Sequence, residues 1–171
     1  MALERFTVDN LATLTNLSGA ITDIDDDPDS PDGLWITSDG AGAAELIGDF
    51  ENPVKSLRSG ADLQEFKVLI RRSSANGGPT GGNSVSFDIQ LYENAVLVST
   101  LTSGTLGVGT AQDTVYSGTW NSSTISNKDE VEVRVFQTDG AGGNPGNRRF
   151  IDIGAIEWNA DTVDVRYIFI N

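Results

Sequence analysis

The densest group of side chains that could bind a ligand is an aspartate-rich segment near the N-terminus. Residues 23–33 read Asp-Ile-Asp-Asp-Asp-Pro-Asp-Ser-Pro-Asp-Gly and contain six aspartates. Calcium takes about six to eight hard oxygen ligands, so a segment of this kind suits a calcium site. Aspartates at positions 23, 25 and 27 match the first ligands of an EF-hand loop, but Pro28 replaces the required glycine and Leu34 replaces the bidentate glutamate. The sequence therefore excludes an EF-hand.

Two interpretations of this segment stay open. In the first, Asp25, Asp27 and Asp29 ligate a calcium ion, which would relieve the repulsion among the crowded carboxylates. In the second, the segment is a solvated turn that Pro28 and Pro31 stiffen, and its aspartates cap turns through backbone hydrogen bonds. The second interpretation is favoured, and apart from calcium no cofactor is predicted.

Residue types needed for most hydrolytic mechanisms are absent. The chain has no histidine and no cysteine, which removes the commonest general base, the thiol nucleophile and the usual zinc ligands. Its 25 acidic residues could supply a carboxylate pair for glycoside hydrolysis, although sequence does not give their separation. Only Glu157, beside Trp158, has an apolar sequence context that could raise its pKa. The prediction is a protein without enzymatic activity.

The aromatic residues allow a sugar-binding surface, because aromatic faces stack on carbohydrate and jelly rolls often carry lectin sites. The candidates are Trp35, Trp120, Trp158, Tyr92, Tyr116 and Tyr167. Trp35 and Trp158 adjoin isoleucines in apolar strands, and burial is the more frequent fate of tryptophan there. Burial is therefore the favoured interpretation.

Two glycine-rich loops, 73–83 and 139–147, are too rich in glycine to pack by themselves. Long loops of this composition are either mobile or held by a partner. If a partner holds them, the contact residues are expected to come from the loops and from the basic pair that follows the second loop, namely Asn76, Gly77, Gly78, Asn144, Arg148 and Arg149. The two arginines could also pair with local carboxylates, which is the commoner case.

Alternating apolar residues predict an all-β protein. In residues 84–93, Val85, Phe87, Ile89 and Leu91 alternate with polar residues, as expected for a strand with one buried face. Eight further strands are predicted at 34–37, 44–50, 63–72, 96–101, 114–120, 131–138, 150–158 and 163–170, with one short helical turn within 121–129. Glu93-Asn94-Ala95 is expected to form a tight hairpin turn, because asparagine tolerates the left-handed conformation.

Eight to nine short strands without intervening amphipathic helices predict an antiparallel two-sheet sandwich of the jelly-roll type. With 171 residues and no internal linker, the chain is expected to form one domain over residues 1–171. Residues 1–20 carry leucines at positions 11, 14 and 17, and two interpretations are open for them: an arm that reaches a neighbouring subunit, or an edge strand, which is favoured.

The net charge restricts the partners. A formal charge of −14 and a pI near 4.1 disfavour nucleic acid, because phosphate binding depends on lysine and arginine. No apolar run approaches the length of a membrane span. The first residues have neither the basic start nor the long apolar stretch of a signal peptide, so none is predicted. Synthesis in a reducing cytoplasm is expected, and neither a membrane nor a nucleic acid is expected as partner.

Three segments together resemble β-rich virion proteins of tailed bacteriophages: residues 24–35 (Ile-Asp-Asp-Asp-Pro-Asp-Ser-Pro-Asp-Gly-Leu-Trp), residues 63–71 (Leu-Gln-Glu-Phe-Lys-Val-Leu-Ile-Arg) and residues 154–159 (Gly-Ala-Ile-Glu-Trp-Asn). The resemblance spans residues 20–159 and implies a jelly-roll domain on the outside of the particle. It carries no catalytic residues with it.

The function expected from this resemblance is a capsid decoration, or cement, protein. It would bind across major capsid protein subunits on the virion exterior, with many modest contacts adding up, and a homotrimer would match the capsid symmetry axes. The alternative is a tail or fibre domain that binds host-surface carbohydrate.

Overall fold

The computed structural model describes residues 3–51, 53, 55–58, 64–73, 76, 82–108, 113–140, 142 and 148–163. Within these residues there are eleven strands: β1 (Leu3–Thr15), β2 (Leu17–Ser18), β3 (Thr37–Ser38), β4 (Glu45–Phe50), β5 (Ser56–Leu57), β6 (Gln64–Arg72), β7 (Val85–Glu93), β8 (Val96–Leu106), β9 (Thr114–Trp120), β10 (Val131–Gln137) and β11 (Ile151–Val163). Three 3₁₀ turns lie at Ile21–Asp23, Ser122–Thr124 and Lys128–Glu130. The protein is an antiparallel β-sandwich of the jelly-roll type, as the sequence predicts.

The strands form two sheets that share β1. The first half of β1 pairs with β11, from Leu3 opposite Asp161 to Thr7 opposite Glu157. The second half pairs with β4, from Val8 to Thr15. The five-stranded sheet therefore has the order β8-β7-β10-β4-β1, and the four-stranded sheet has the order β1-β11-β6-β9.

In both sheets β1 is an edge strand, the interpretation favoured for residues 1–20, because its first half pairs with β11 alone and its second half with β4 alone. Its register slips after Val8 and again after Leu11, and each slip adds one residue between successive inward positions. Leu11 and Leu14 both pack on the core, although they stand three apart instead of two. The two bulges therefore hide the alternation by which a strand is recognised in sequence.

The core lies between the two sheets and contains the inward residues predicted for β7. Val85, Phe87, Ile89 and Leu91 are all fully buried, which confirms the alternation. An aromatic cluster fills one end of the core, where the Trp158 ring lies 5.5 to 6.3 Å from each of four other rings. These four are Phe6, Phe50, Phe66 and Trp120.

The predicted hairpin and helical turn are confirmed. Asn94 and Ala95 have φ angles of 49° and 59°, so both occupy the left-handed region that a two-residue hairpin between β7 and β8 requires. Within 121–129 the first 3₁₀ turn is capped by Asn121, whose side chain accepts a hydrogen bond from the backbone of Ser123.

The predicted strand count was too low. Three of the strands that the sequence did not predict, β2, β3 and β5, have two residues each and are too short to show a period. The predicted strand at 34–37 reduces to a single bridge between Ile36 and Ile153 followed by β3. The predicted strand at 163–170 falls almost entirely outside the described residues.

No helix among the described residues is long and apolar enough to cross a membrane.

Candidate functional site

The aspartate-rich segment lies against the outer face of the four-stranded sheet. The carbonyl of Ile24 accepts a hydrogen bond from the backbone N–H of Ile156. Ile36 and Ile153 each donate the backbone N–H to the carbonyl of the other, with N···O distances of 2.8 and 2.9 Å. The segment therefore lies beside β11 at the point where β1 has turned towards the other sheet.

Two of the three predicted calcium ligands are bound to cationic side chains. An Asp27 oxygen lies 2.9 Å from an Arg5 guanidinium nitrogen, and an Asp29 oxygen lies 2.6 Å from the ammonium of Lys67. Asp27 also accepts the backbone N–H of Asp29, which with the guanidinium lowers the pKa of Asp27. Asp25 is exposed. Among the residues that the structure describes, no group of three or more acidic side chains could hold one metal ion, so calcium binding stays a prediction without support from this geometry.

Glu157, the carboxylate singled out in the sequence, is 1% exposed and lies beneath Arg5 at 2.8 Å. Burial raises its pKa, and the guanidinium opposes that rise. Two other buried carboxylates on the same strand are paired in the same way, Asp152 with Arg71 and Asp161 with Arg58, each at 3.1 Å. A carboxylate that is covered by its own arginine does not reach a substrate, so we assign these three a structural role.

The tryptophans and Tyr92, as far as the structure describes the aromatic candidates, do not form a sugar platform. Trp120 and Trp158 are buried in the core, and Tyr92 is 9% exposed. Trp35 is partly exposed, but the guanidinium of Arg71 stacks 3.8 Å from its ring centroid. The expected burial of Trp158 is confirmed, and Tyr167 lies outside the described residues.

The predicted partner-binding residues fall into two groups. Gly77, Gly78 and Asn144 lie outside the described residues. Asn76 is 1% exposed, and its amide both donates to the carbonyl of Phe150 and accepts from the N–H of Phe150, each at 2.9 Å. This corrects the prediction for Asn76, because a buried amide that ties a loop to Phe150 is not available to a partner.

Arg148 and Arg149 are partly buried and hold neighbouring chain segments through their backbone. The carbonyl of Arg148 accepts from Asn83, and the carbonyl of Arg149 accepts from the side chain of Gln137. Neither contact tests the predicted partner role of the two side chains, which stays a prediction.

A cleft that the sequence did not indicate lies on the outer face of the five-stranded sheet, close to the β7–β8 hairpin. It has a volume of about 310 Å³ and is called here the end cleft. Asp9 is the extra residue of the first β1 bulge and has no partner across to β4. The residues that line the end cleft are Asp9, Asn10, Asp49, Phe50, Asp129, Glu130, Val131 and Glu132.

Two carboxylates face each other across the strands of this cleft. Asp49 of β4 is in register with Glu132 of β10, and like charges directly opposite one another destabilise a sheet. Asn10 donates to one Asp49 oxygen at 2.8 Å, and the N–H of Ala95 donates to both Glu132 oxygens at 3.2 Å. The other Asp49 oxygen, Oδ1, is buried without a hydrogen-bond partner. Burial raises the pKa of Glu132, and the nearby Asp49 adds to that rise.

The same face continues into a group of side chains around Arg134, called here the Arg134 cluster. The guanidinium donates to the hydroxyl of Tyr92 at 2.6 Å and to Gln90 at 3.2 Å, and it pairs with Glu45 at 2.7 Å. It also stacks 4.4 Å from the ring centroid of Phe136. Because Arg134 and Glu132 are two residues apart on β10, the cluster adjoins the cleft.

Sequence reasoning missed the end cleft because its residues come from distant parts of the chain. Asp9 and Asn10, Asp49, and residues 129–132 meet only through the pairing of β1 with β4 and of β4 with β10. The one available signal was the polar outward position of Glu132 between two buried valines, and any solvated strand shows that pattern.

No family model matches the chain, and no curated protein matches it. Among solved structures, an arabinose-bound MgGH51 α-L-arabinofuranosidase is similar with a TM-score of 0.52 and 13% identity over 96% of this chain and 28% of that chain. The CBM32 of AlyQ in complex with 4,5-unsaturated mannuronic acid gives a TM-score of 0.47 and 14% identity over 91% of this chain and 97% of that chain. A truncated AlyQ with CBM32 and alginate lyase domains gives a TM-score of 0.46 and 15% identity over 95% of this chain and 35% of that chain. At these identities the likeness concerns the fold alone.

Proposed function

We propose that this chain is a non-catalytic domain that binds a neutral carbohydrate in the end cleft. The observation that carries the proposal is the opposed pair Asp49 and Glu132, with an Asp49 oxygen that is buried and lacks a donor. Such an arrangement is costly in the free protein, because a buried acceptor without a partner loses its hydration. A ligand that supplies hydroxyl donors removes this cost.

The shape and chemistry of the cleft suit a sugar. A volume of about 310 Å³ lies at the lower end of the range for small-molecule sites and is large enough for one or two sugar rings. The carboxylates and the Asn10 amide accept hydrogen bonds, and the hydroxyls of a sugar donate them.

The charge of the cleft selects among sugars. Five of its eight lining residues are acidic: Asp9, Asp49, Asp129, Glu130 and Glu132. A uronate or sulfated sugar would bring a further negative charge close to these carboxylates and would be repelled. The proposed ligand is therefore a neutral sugar.

The absence of catalysis is part of the proposal. A glycosidase needs one carboxylic acid that is protonated when the substrate binds. Burial raises the pKa of Glu132, and the hydrogen bond from the N–H of Ala95 opposes that rise only in part. We assign Asp49 and Glu132 to hydrogen bonding with the ligand, and a hydrolysis assay tests this assignment.

Binding is tested by calorimetry with neutral sugars, a matched uronate series and three proteins. Asp49→Asn removes the acceptor charge and should weaken neutral-sugar binding about tenfold, the loss of one charge-assisted hydrogen bond. Asp88→Asn is the control, because Asp88 lies on the same face outside the cleft and binds Ser103. Equal binding by Asp49→Asn and the wild type, or preference for the uronates, would refute the proposal. If the wild type hydrolysed aryl glycosides and Glu132→Gln did not, the proposal that the domain is non-catalytic would be refuted.

The bacteriophage setting stays a prediction based on the resemblance of the sequence. With a carbohydrate as ligand, we place the domain on the tail or fibre, where it would contact glycans of the host surface; capsid decoration is the alternative. Densitometry of purified particles separates the two, because hundreds of copies per particle indicate decoration and a dozen or fewer indicate a tail component. Absence of this protein from purified particles would rule out both the tail and the capsid location.

A further inference from the structure

Charged residues are almost absent from one continuous part of the chain. Residues 94–127 contain a single charged residue, Asp113, in a protein in which 21% of residues are charged. The strands β8 and β9 both fall within this part and carry none.

The fold places these two strands together. β8 and β9 are the terminal strands of the two sheets, so they lie on the same side of the sandwich. A Cβ on Gly118 of β9 would stand 2.5 Å from Leu101 of β8, and a Cβ on Gly104 of β8 would stand 2.9 Å from the ring of Tyr116 of β9. Together with Val108, β8 and β9 form what is called here the neutral side.

The neutral side also carries most of the large hydrophobic side chains that are exposed among the described residues. The structure describes five large hydrophobic side chains that are exposed, and four of them lie here: Val96, Leu97, Val108 and Val115, with 65, 48, 50 and 37% of their surface accessible. Val96 and Leu97 lie beside the hairpin, and Val108 and Val115 lie towards the opposite end of β8, so exposed apolar side chains occur at both ends of an uncharged side of the molecule.

The second half of the β8 edge, from Thr102 to Leu106, lacks the usual protection. In the part of the chain that the structure describes, β8 pairs with β7 alone. Natural proteins protect such edges with charged side chains, prolines or bulges, because an open edge is a template for pairing with another chain. β8 has neither charge nor proline, and its two register slips, between Leu97 and Ser99 and between Thr100 and Thr102, protect only the half of the strand that is next to the hairpin. From Thr102 to Leu106 its pairing with β7 continues without a break.

We propose that a second copy of this chain docks on the neutral side, with the two β8 edges pairing antiparallel about a two-fold axis. A net charge of −14 makes two copies repel one another through the rest of their surface, and the neutral side is where they can approach without that cost. A basic partner would be drawn to the acidic faces instead, and any charged partner would lose hydration against an uncharged surface. The neutral side of another copy is neither drawn to the acidic faces nor loses the hydration of charged groups on docking. A two-fold contact uses the same patch on both copies, so the neutral side would meet its own equivalent.

Sedimentation equilibrium at ~0.5 M NaCl tests the proposal, because salt screens the general repulsion. The wild type should form a dimer. Leu97→Glu and Val115→Glu place charges on exposed positions of the neutral side and should each weaken dimerisation at least tenfold. Leu34→Glu is the matched control, because Leu34 is the fifth exposed hydrophobic residue, lies outside the neutral side and should leave the dimer unchanged.

Hydrogen exchange supplies an independent measurement. In the dimer, amides of β8 should exchange more slowly than in the Leu97→Glu monomer, whereas amides of the buried strand β10 should not differ. A wild type that stays monomeric at millimolar concentration, a trimer, or an equal effect of Leu34→Glu would overturn the proposal. Circular dichroism of each variant confirms that the fold is retained. Sugar binding is measured separately, and its failure would leave this inference standing.

Discussion

At the scale of single residues, the partner of each carboxylate separates structure from function. Glu157, Asp152 and Asp161 of β11 each have an arginine within 3.1 Å that offsets their charge, although one oxygen of Glu157 and one of Asp161 are buried without a hydrogen bond. Asp49 and Glu132 face one another instead, with neutral donors as their hydrogen-bond partners. A pair of like charges without a neighbouring cation is a candidate functional site, because a ligand that donates hydrogen bonds to it would lower the cost of the pair at neutral pH.

The cost of this pair should appear in the pH dependence of stability. Burial raises the pKa of Glu132, so the folded protein binds its proton more tightly than the unfolded chain does. Stability is therefore lost as the pH rises from the ordinary carboxyl range through the folded pKa. Glu132→Gln keeps the hydrogen bond from Ala95 without the charge, and it should be more stable than the wild type by about 0.5 kcal/mol at pH 7.

Urea denaturation at several pH values measures this difference, which should vanish near pH 3, where both forms of residue 132 are neutral. Asp113→Asn is the control, because Asp113 is exposed and should change little at any pH. A Glu132→Gln protein that is less stable than the wild type at pH 7 would contradict the prediction.

At the scale of elements, β1 decides how the molecule is built. Because it pairs first with β11 and then with β4, it joins the two sheets into one continuous series of strands. The bulge at Asp9 lies next to the point of transfer and also places that residue in the end cleft. The element that connects the sheets therefore also contributes to the candidate site.

The hairpin between β7 and β8 can be stabilised by a single substitution. Ala95 has a φ of 59°, which is unfavourable for any residue with a Cβ. Ala95→Gly should raise the free energy of unfolding by about 0.5–1 kcal/mol, because glycine adopts this conformation without strain. Ala12→Gly, in an exposed position of β1, should lower it by a similar amount. Chemical denaturation compares the two, and a destabilised Ala95→Gly protein would show that the turn differs from the geometry described.

At the scale of the whole molecule, charge is distributed unevenly. The net charge of −14 is carried by the remainder of the chain, while residues 94–127 contain one charge. The acidic part includes the end cleft, and the uncharged part includes the exposed edge of β8. Two kinds of contact, one with a polar ligand and one with an apolar surface, are therefore separated on one small sandwich.

Repulsion among the acidic residues should make the folded state sensitive to salt. Raising NaCl from ~0.01 M to ~0.5 M shortens the screening length from ~30 Å to less than 10 Å. The melting temperature should therefore rise by a few degrees, because the compact state gains most from screening. Calorimetry at low protein concentration measures the effect without dimerisation. A falling melting temperature would mean that the paired arginines contribute more than the general repulsion costs.

Local patterns in the sequence determined the fold class, the buried face of β7 and the hairpin at Asn94 and Ala95, because side-chain alternation and turn conformation depend on neighbouring residues. The sequence also determined the long uncharged stretch. Only the tertiary structure decided that β1 lies between two sheets, that arginines cover the carboxylates of β11, and that Asp49 meets Glu132. Each of these depends on which strands pair and in which register, and long-range pairing is set by the packing of the whole core and not by any local pattern.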